Sequence, residues 1–273
     1  MQRETRRCCI ESKNMMTELE QLERRLKERF VKAFATYGLL ADGDHVLVGL
    51  SGGKDSLLLL ELLARRARID HPRFQVEALH VRMENISYES STDYLSRFCE
   101  ELQVPLHIVT TRFDVGATVD VGADDGHTQS QLLRKQKQPC FLCSWYRRKQ
   151  LFNVAQQLGC NKIALGHHRD DMIHTALMNL TFQGRFGTMP ARLRMRKMPL
   201  TVIRPLCLID EADIRRYAEL RGYEKVRKVC PYEHESNRTA IAALYAEMER
   251  MNPEARYSIW KALETEGKLV EED

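Results

Sequence analysis

At 273 residues, 43% of them hydrophobic, the chain is long enough for one large α/β domain, or a domain with small appendages, and should fold without covalent staples. No run approaches the roughly 20 apolar residues of a membrane span, and the charged start MQRETRRCCIESKNMM lacks the apolar middle of a secretory signal, so the cytoplasm is the expected location. The net charge of +4 is modest but the basic residues are clustered, which admits acidic partners, and eight cysteines in a reducing compartment argue for metal ligation, reactivity or packing rather than disulfides.

Apolar residues recur at helical spacing from Met15 to Tyr37, predicting a leading helix closed by Gly38, with Cys8-Cys9 in a frayed tail before it. Asp42-Gly43-Asp44 turns the chain into HVLVGL, His45 to Leu50, which reads as a buried strand. The glycine turn SGGKDS follows, then a helix over Ser56 to Arg68. Further strands are expected at Phe74 to Val81, Pro105 to Thr110 and Lys162 to Leu165, and helices at Glu89 to Leu102, Ser144 to Leu158 and Asp170 to Leu180. This alternation implies an α/β fold with a Rossmann-like parallel sheet of about five strands flanked by helices. Val115 to His127 reads as a mobile loop, and ARLRMRKMPLTVIRPL as a hairpin with one basic face. Helices at Asp210 to Arg221, Thr239 to Met251 and Pro253 to Leu263 complete the chain. The expected division is a helical extension over 1–40, a nucleotide-binding domain over 41–210 and a C-terminal helical segment over 211–273.

The glycine turn carries the first chemistry. It fails the P-loop pattern, because three residues rather than four separate Gly49 from Gly53-Lys54, and Asp55 stands where Ser or Thr would bind magnesium. The dinucleotide pattern G-x-G-x-x-G is absent too. What remains is a strand-to-helix turn whose amides, from Ser51 through Gly52 and Gly53 to Lys54, can cradle oxyanions at the positive end of a helix. A carboxylate beside phosphate repels it unless a cation intervenes, so Asp55 points to Mg2+. The bland reading is a glycine turn that merely starts a helix.

Cys140 and Cys143 form a C-x-x-C at the mouth of a helix, where the dipole favours thiolates. A redox pair would follow the first strand of its own domain, an all-cysteine zinc site would need a second C-x-x-C, and buried inert thiols remain the plain alternative. Cys99, Cys160 and Cys207 lie in contexts that suit core packing, whereas Cys230 follows a basic run and precedes a proline between two helices. Three thiolates would leave one iron of a cubane cluster without a cysteine ligand.

SGGKDS resembles the pyrophosphatase loop of the ATP-pyrophosphatase superfamily, which adenylates a carbonyl or amide oxygen and releases pyrophosphate. The order SGGKDS, PCFLC with a basic helix, IALGHHRDD, IRPL and a lone late cysteine before NR resembles the tRNA 2-thiocytidine synthetase family, from about Phe34 to Met251. The resemblance implies an adenine nucleotide alpha hydrolase-like fold that uses ATP, Mg2+ and a [4Fe-4S] cluster. It places the phosphate loop on Ser51, Gly52, Gly53, Lys54, Asp55 and Ser56, and the cluster on Cys140, Cys143 and Cys230. It matches Gly166 and Asp171 to a second nucleotide motif and Arg147 to a basic residue beside the cluster, so that Asp55, Asp171 and Arg147 are the candidate catalytic residues. The implied enzyme is a tRNA sulfurtransferase. It adenylates C2 of a cytidine at position 32 of the anticodon loop and exchanges oxygen for sulfur supplied by a cysteine desulfurase or other donor; no membrane is involved and a homodimer is compatible. Glu233 stands where family members commonly carry a further cysteine, and the paired-cysteine zinc fingers of the 2-thiouridine branch have no counterpart beyond Cys8-Cys9.

Other residues stay open between roles. His80 ends the second strand at the ligand edge and reads either as an adenine or ribose contact or as a core histidine. His167 and His168 suit hydrogen bonding or packing better than zinc, and Asp170 and Asp171 can be helix caps as well as site carboxylates. Arg147, Arg148, Lys149, Arg185, Arg192, Arg194, Arg196, Lys197 and Arg204 could neutralise tRNA phosphates, and Trp145, Tyr146 and Phe186 could stack an unpaired base; solvated charge and core packing are the competing readings. Amine transfer, as in lysidine synthetase, 2-thiouridine formation and RNA binding without catalysis are the alternative functions.

Overall fold

The computed structural model describes residues 2–88, 92–113, 139–226, 228–229 and 237–271. The expected loop at Val115 to His127 and the third candidate ligand Cys230 lie outside the described residues.

Five strands run parallel: β1 (Asp44–Gly49), β2 (Phe74–Met83), β4 (Leu106–Thr111), β5 (Lys162–Ala164) and β7 (Thr201–Ile203). The expected hairpin is present, with β6 (Arg192–Arg194) antiparallel to β7, and β9 (Val270–Glu271) pairs with β6 at the sheet edge. Among the described residues the order is β4-β2-β1-β5-β7-β6-β9. The winding reverses between β1 and β5, and open α/β sheets bind ligands in the crevice that such a reversal leaves at the carboxyl ends of the strands. A separate ribbon pairs β3 (Ser87–Tyr88) with β8 (Lys228–Val229).

The helix α1 (Gln2–Tyr37) starts well before the predicted Met15 and ends where Gly38 takes a left-handed φ of 59°. After β1 comes α2 (Lys54–Ala67), with every residue from Ser56 to Ala64 buried. A helix apolar all round belongs inside a fold, and each fully buried leucine contributes about 1.5–3 kcal/mol. Glu61 sits in that run fully buried, and is paired rather than stranded: the Tyr217 and Tyr223 hydroxyls donate to it, and Arg65 and Arg221 flank it. α3 (Asp93–Leu102), α4 (Pro139–Gln157) and α5 (Arg169–Gln183) follow, then α6 (Glu211–Leu220), α7 (Asn237–Met251) and α8 (Ala255–Thr265). No helix among the described residues is long and apolar enough to cross a membrane.

Candidate functional site

The turn between β1 and α2 is shaped by its glycines. Gly52 holds φ at 81°, and a Cβ there would lie 2.4 Å from Val226 Cγ2; its carbonyl accepts the Val226 N–H at 3.1 Å. Gly53 opens α2 and no side-chain hydrogen bond caps the helix, which leaves its first amides available to an anion. Ser51 and Ser56 hydroxyls meet at 3.1 Å and Ser56 donates to the Gly53 carbonyl at 3.0 Å, holding the turn closed. Lys54 Nζ lies 2.9 Å from Asp55 and 3.2 Å from Glu211; burial works against its charge, but these carboxylates raise its pKa and keep it an ammonium.

The second motif approaches across the crevice. A Cβ on Gly166 would sit 3.1 Å from the backbone of Asp55 and Ser56, so the two turns touch main chain to main chain. His168 caps α5 in a reciprocal box with Asp171. Its Nε2 lies 3.9 Å from Asp55 and 3.4 Å from Asp171, bringing together the two carboxylates singled out in the sequence, each about a third exposed at 30% and 31%. Two carboxylates plus substrate phosphates are the usual holders of Mg2+, and this pair fits that role. Although burial opposes it, Asp170, Asp171 and Asp55 together raise the pKa of His168. The Nδ1 atom can accept from Asp171 N–H at 3.5 Å or donate toward Asp170 at 3.6 Å; protonation selects the second.

Beside this pair opens a cleft of about 430 Å³, lined by Ser51 and Gly53 of the turn, His80 and Tyr88, the α4 face Ser144, Arg147, Arg148 and Leu151, and His167. Lys54, Asp55 and Asp171 are not among its lining residues. The two cleft histidines have opposite hydrogen-bonding polarity. His80, 2% exposed, places Nδ1 2.7 Å from the Leu50 carbonyl and leaves Nε2 buried without a partner among the described residues. A carbonyl only accepts, so Nδ1 carries the proton and Nε2 the lone pair. Burial, aided by Arg147 and Arg82, lowers its pKa and keeps it neutral. His167 is the reverse: Arg204 Nε–H donates to its Nδ1 at 3.3 Å, so a neutral ring carries its proton on Nε2. Burial and Arg204 lower its pKa to about 4.

Cys140 is exposed and Cys143 half-buried in the first turn of α4, whose cleft face begins at Ser144. Cys143 and Tyr88 both pack against the buried cluster of Met83, Ile86, Phe113 and Leu142, and Tyr88 belongs to the ribbon whose other strand, β8, ends at Val229. The ribbon therefore brings the chain just before Cys230 to the neighbourhood of the C-x-x-C. The two thiols stand one turn from the cleft and are soft ligands of the kind an iron–sulfur cluster takes. Arg147, four residues beyond Cys143, lines the cleft and donates to the Tyr88 hydroxyl at 3.1 Å. Cys99, Cys160 and Cys207 are buried in the core, their thiols pushed up by burial to about 12, 11 and 12.

The proposed tRNA-facing residues divide. Trp145 and Tyr146 pack edge to face at 5.0 Å with Lys149 over Trp145, and Tyr146 joins the cluster of Leu142. Arg192 turns back to the Gly38 carbonyl at 3.3 Å, while Arg194 and Arg196 are exposed beyond it. Arg185 and Phe186 line a second cavity, of about 680 Å³, at the far end of α5. Glu211 and Tyr88 had no signal in the sequence as site residues, since their role depends on contacts made across the fold.

A glycine turn of this kind, set at the switch point of a parallel sheet and facing a second turn with an aspartate, defines a PP-loop ATP-binding protein, and the family model described as a PP-loop domain matches residues 18–241. Two relatives are more particular: a tRNA-cytidine(32) 2-sulfurtransferase of Alkalilimnicola ehrlichii, 33% identical over 90% of this chain and 74% of its own, and one of Shewanella oneidensis, 32% identical over 93% and 77%. The chain belongs to the tRNA-cytidine(32) 2-sulfurtransferase family. Among solved structures it is similar to the U34-tRNA thiolase NcsA from Methanococcus maripaludis with its [4Fe-4S] cluster, at a TM-score of 0.68 and 26% identity over 90% of this chain and 79% of that one.

Proposed function

We infer that the chain is an ATP-dependent tRNA thiolase that exchanges the C2 oxygen of a cytidine in the anticodon loop, at position 32, for sulfur. The observation that carries this is a cleft walled on one side by Ser51 and Gly53 of an ATP-type turn and on the other by the face of α4 from Ser144 to Leu151, the helix whose start bears the C-x-x-C.

In this reading the amides of Ser51 to Lys54 receive the ATP phosphates, with Lys54 adding a charge. Asp55 and Asp171 would hold Mg2+, which neutralises charge on the phosphates. The C2 oxygen attacks the α-phosphorus, the bond to the β-phosphate oxygen breaks, and pyrophosphate leaves with that electron pair. His167, which lines the cleft, would donate its Nε2–H to an anionic oxygen there, and Arg147 and Arg148 add positive charge. The base then carries AMP, a far better leaving group than oxide, which sulfur displaces. Cys140, Cys143 and Cys230 would hold a [4Fe-4S] cluster, which supplies an iron position free of cysteine for a sulfur atom. Arg194 and Arg196 support a tRNA contact. A cysteine desulfurase or other sulfur donor, a homodimer and a cytoplasmic location belong to the same proposal.

The test is anaerobic reconstitution followed by mass spectrometry of the tRNA nucleosides. An ATP-dependent gain of one sulfur on cytidine is expected. Transfer of an amine instead would appear as activity without iron, and binding of tRNA with no pyrophosphate release would remove the enzymatic reading altogether.

A further inference from the structure

We propose that His80 reads an exocyclic amino group of a nucleobase bound in the cleft, and so helps to decide which base the site accepts. This deepens the thiolase reading, and rests on it for the two bases that enter: the adenine of ATP and the target cytosine.

The Leu50 carbonyl, 2.7 Å from Nδ1, leaves the ring one way to be protonated. Its other nitrogen is therefore a fixed acceptor, buried and without a partner among the described residues, on a ring that lines the cleft. Buried acceptors are seldom left so, and a ligand that supplies a donor resolves the deficit. Phosphate cannot, because at neutral pH it too is an acceptor. The lining on this side is apolar, with Leu79, Val81, Leu151 and Leu165, which suits the faces of a base. Adenine N6 and cytosine N4 are donors; the 6-oxo group of hypoxanthine and O4 of uracil are acceptors, and would set lone pair against lone pair. A site built around one hydrogen bond rejects an analogue lacking it strongly, because the protein atom is then buried unpaired.

The experiment uses the full chain with its cluster and reads two ratios. The first is the affinity for ATP over ITP, measured without tRNA. The second is single-turnover pyrophosphate release on tRNA transcripts carrying cytidine or uridine at the target. In His80→Phe one ratio is expected to fall at least about tenfold: the first if the amine is adenine's, the second if it is the target cytosine's. His80→Gln should retain the preference, since its amide can donate to Leu50 and still present an oxygen to the cleft. Both ratios unchanged in His80→Phe overturns the proposal. Should that variant not fold by circular dichroism, the ring 15N resonances of the unmodified chain decide. An Nε2 signal that moves with ATP and not ITP, or with cytidine and not uridine tRNA, supports it, and one that moves with none overturns it. If the unmodified chain releases no pyrophosphate on any tRNA, the thiolase reading fails, while the nucleotide ratio still judges His80.

Discussion

Asp170 Oδ2 accepts the backbone N–H of Glu211 at 2.7 Å, and Glu211 in turn lies 3.2 Å from the Lys54 ammonium. One carboxylate of the second motif thus caps α6, and the first residue of α6 positions the lysine of the phosphate turn. Asp170 also meets Arg256 at 3.4 Å, and Arg256 and Arg169 meet Asp210 at 2.9 and 3.2 Å, so the start of α5 is tied to α6 and α8.

Asp170→Asn should therefore act on stability and on ATP together. Removing one partner from a buried ionic network costs about 3–5 kcal/mol, because the remaining cations keep their desolvation without their counter-charge. Burial raises the Asp170 pKa, but His168, the Glu211 amide and Arg256 outweigh it and lower it below the ordinary aspartate value. The stabilisation is thus complete above pH 3.8 and is lost as acid protonates the folded carboxylate. Urea unfolding of both forms at neutral pH checks the loss, and equal midpoints would sink the argument.

Gly52→Ala should abolish ATP binding with little loss of fold. An alanine is strained at φ 81° and drives its Cβ into Val226, so the turn must move. Gly166→Ala pushes on the Asp55 backbone from the other side, where nothing flexible can yield. Gly52→Ala should reduce pyrophosphate release by about 100-fold or more, the scale expected when a catalytic turn is misplaced by an ångström, and Gly166→Ala, whose neighbours have to give less, should reduce it by a smaller factor. Nucleotide titration beside a thermal melt separates the site from the fold.

His167 should make stability fall as the solution is acidified. Its folded pKa is lowered to about 4 from 6.5, so between those values the unfolded chain binds more protons, and stability present above pH 6.5 is lost as pH falls toward 4. The loss is about 3 kcal/mol. His167→Gln should flatten this part of the pH profile, and Arg204→Lys, which removes the Nε donor, should slow pyrophosphate release more than it weakens ATP binding. An unchanged profile in the glutamine variant would rule the assignment out.

Cysteine changes should split the reaction into two halves. Cys140→Ala is expected to lose thiolation while still releasing pyrophosphate on tRNA, whereas Cys99→Ala should keep both. In the folded apoprotein an alkylating reagent should reach exposed Cys140 well before Cys99, Cys160 or Cys207, whose buried thiols resist ionisation. Thiolation surviving in Cys140→Ala would remove the cluster from the scheme.

Much of this molecule was legible in one dimension. Strand and helix periods are local properties, so the parallel alternation, the hairpin at Lys197-Met198-Pro199 and the turn SGGKDS could be read directly, and the family followed from their order. The short strands β3, β8 and β9 could not, since two-residue pairings have no period and exist only because a distant segment lies alongside. The same holds within the site. That Asp171 closes a capping box and Asp170 caps a different helix, that Glu211 faces Lys54, and that His80 and His167 present opposite polarity are outcomes of contacts between residues far apart in the chain. Sequence alone determined which chemical groups the protein carries and the local elements that bear them. Tertiary structure decided which way each group's protons and charges face, because hydrogen-bond polarity is set by the partner, and the partner is chosen by the fold.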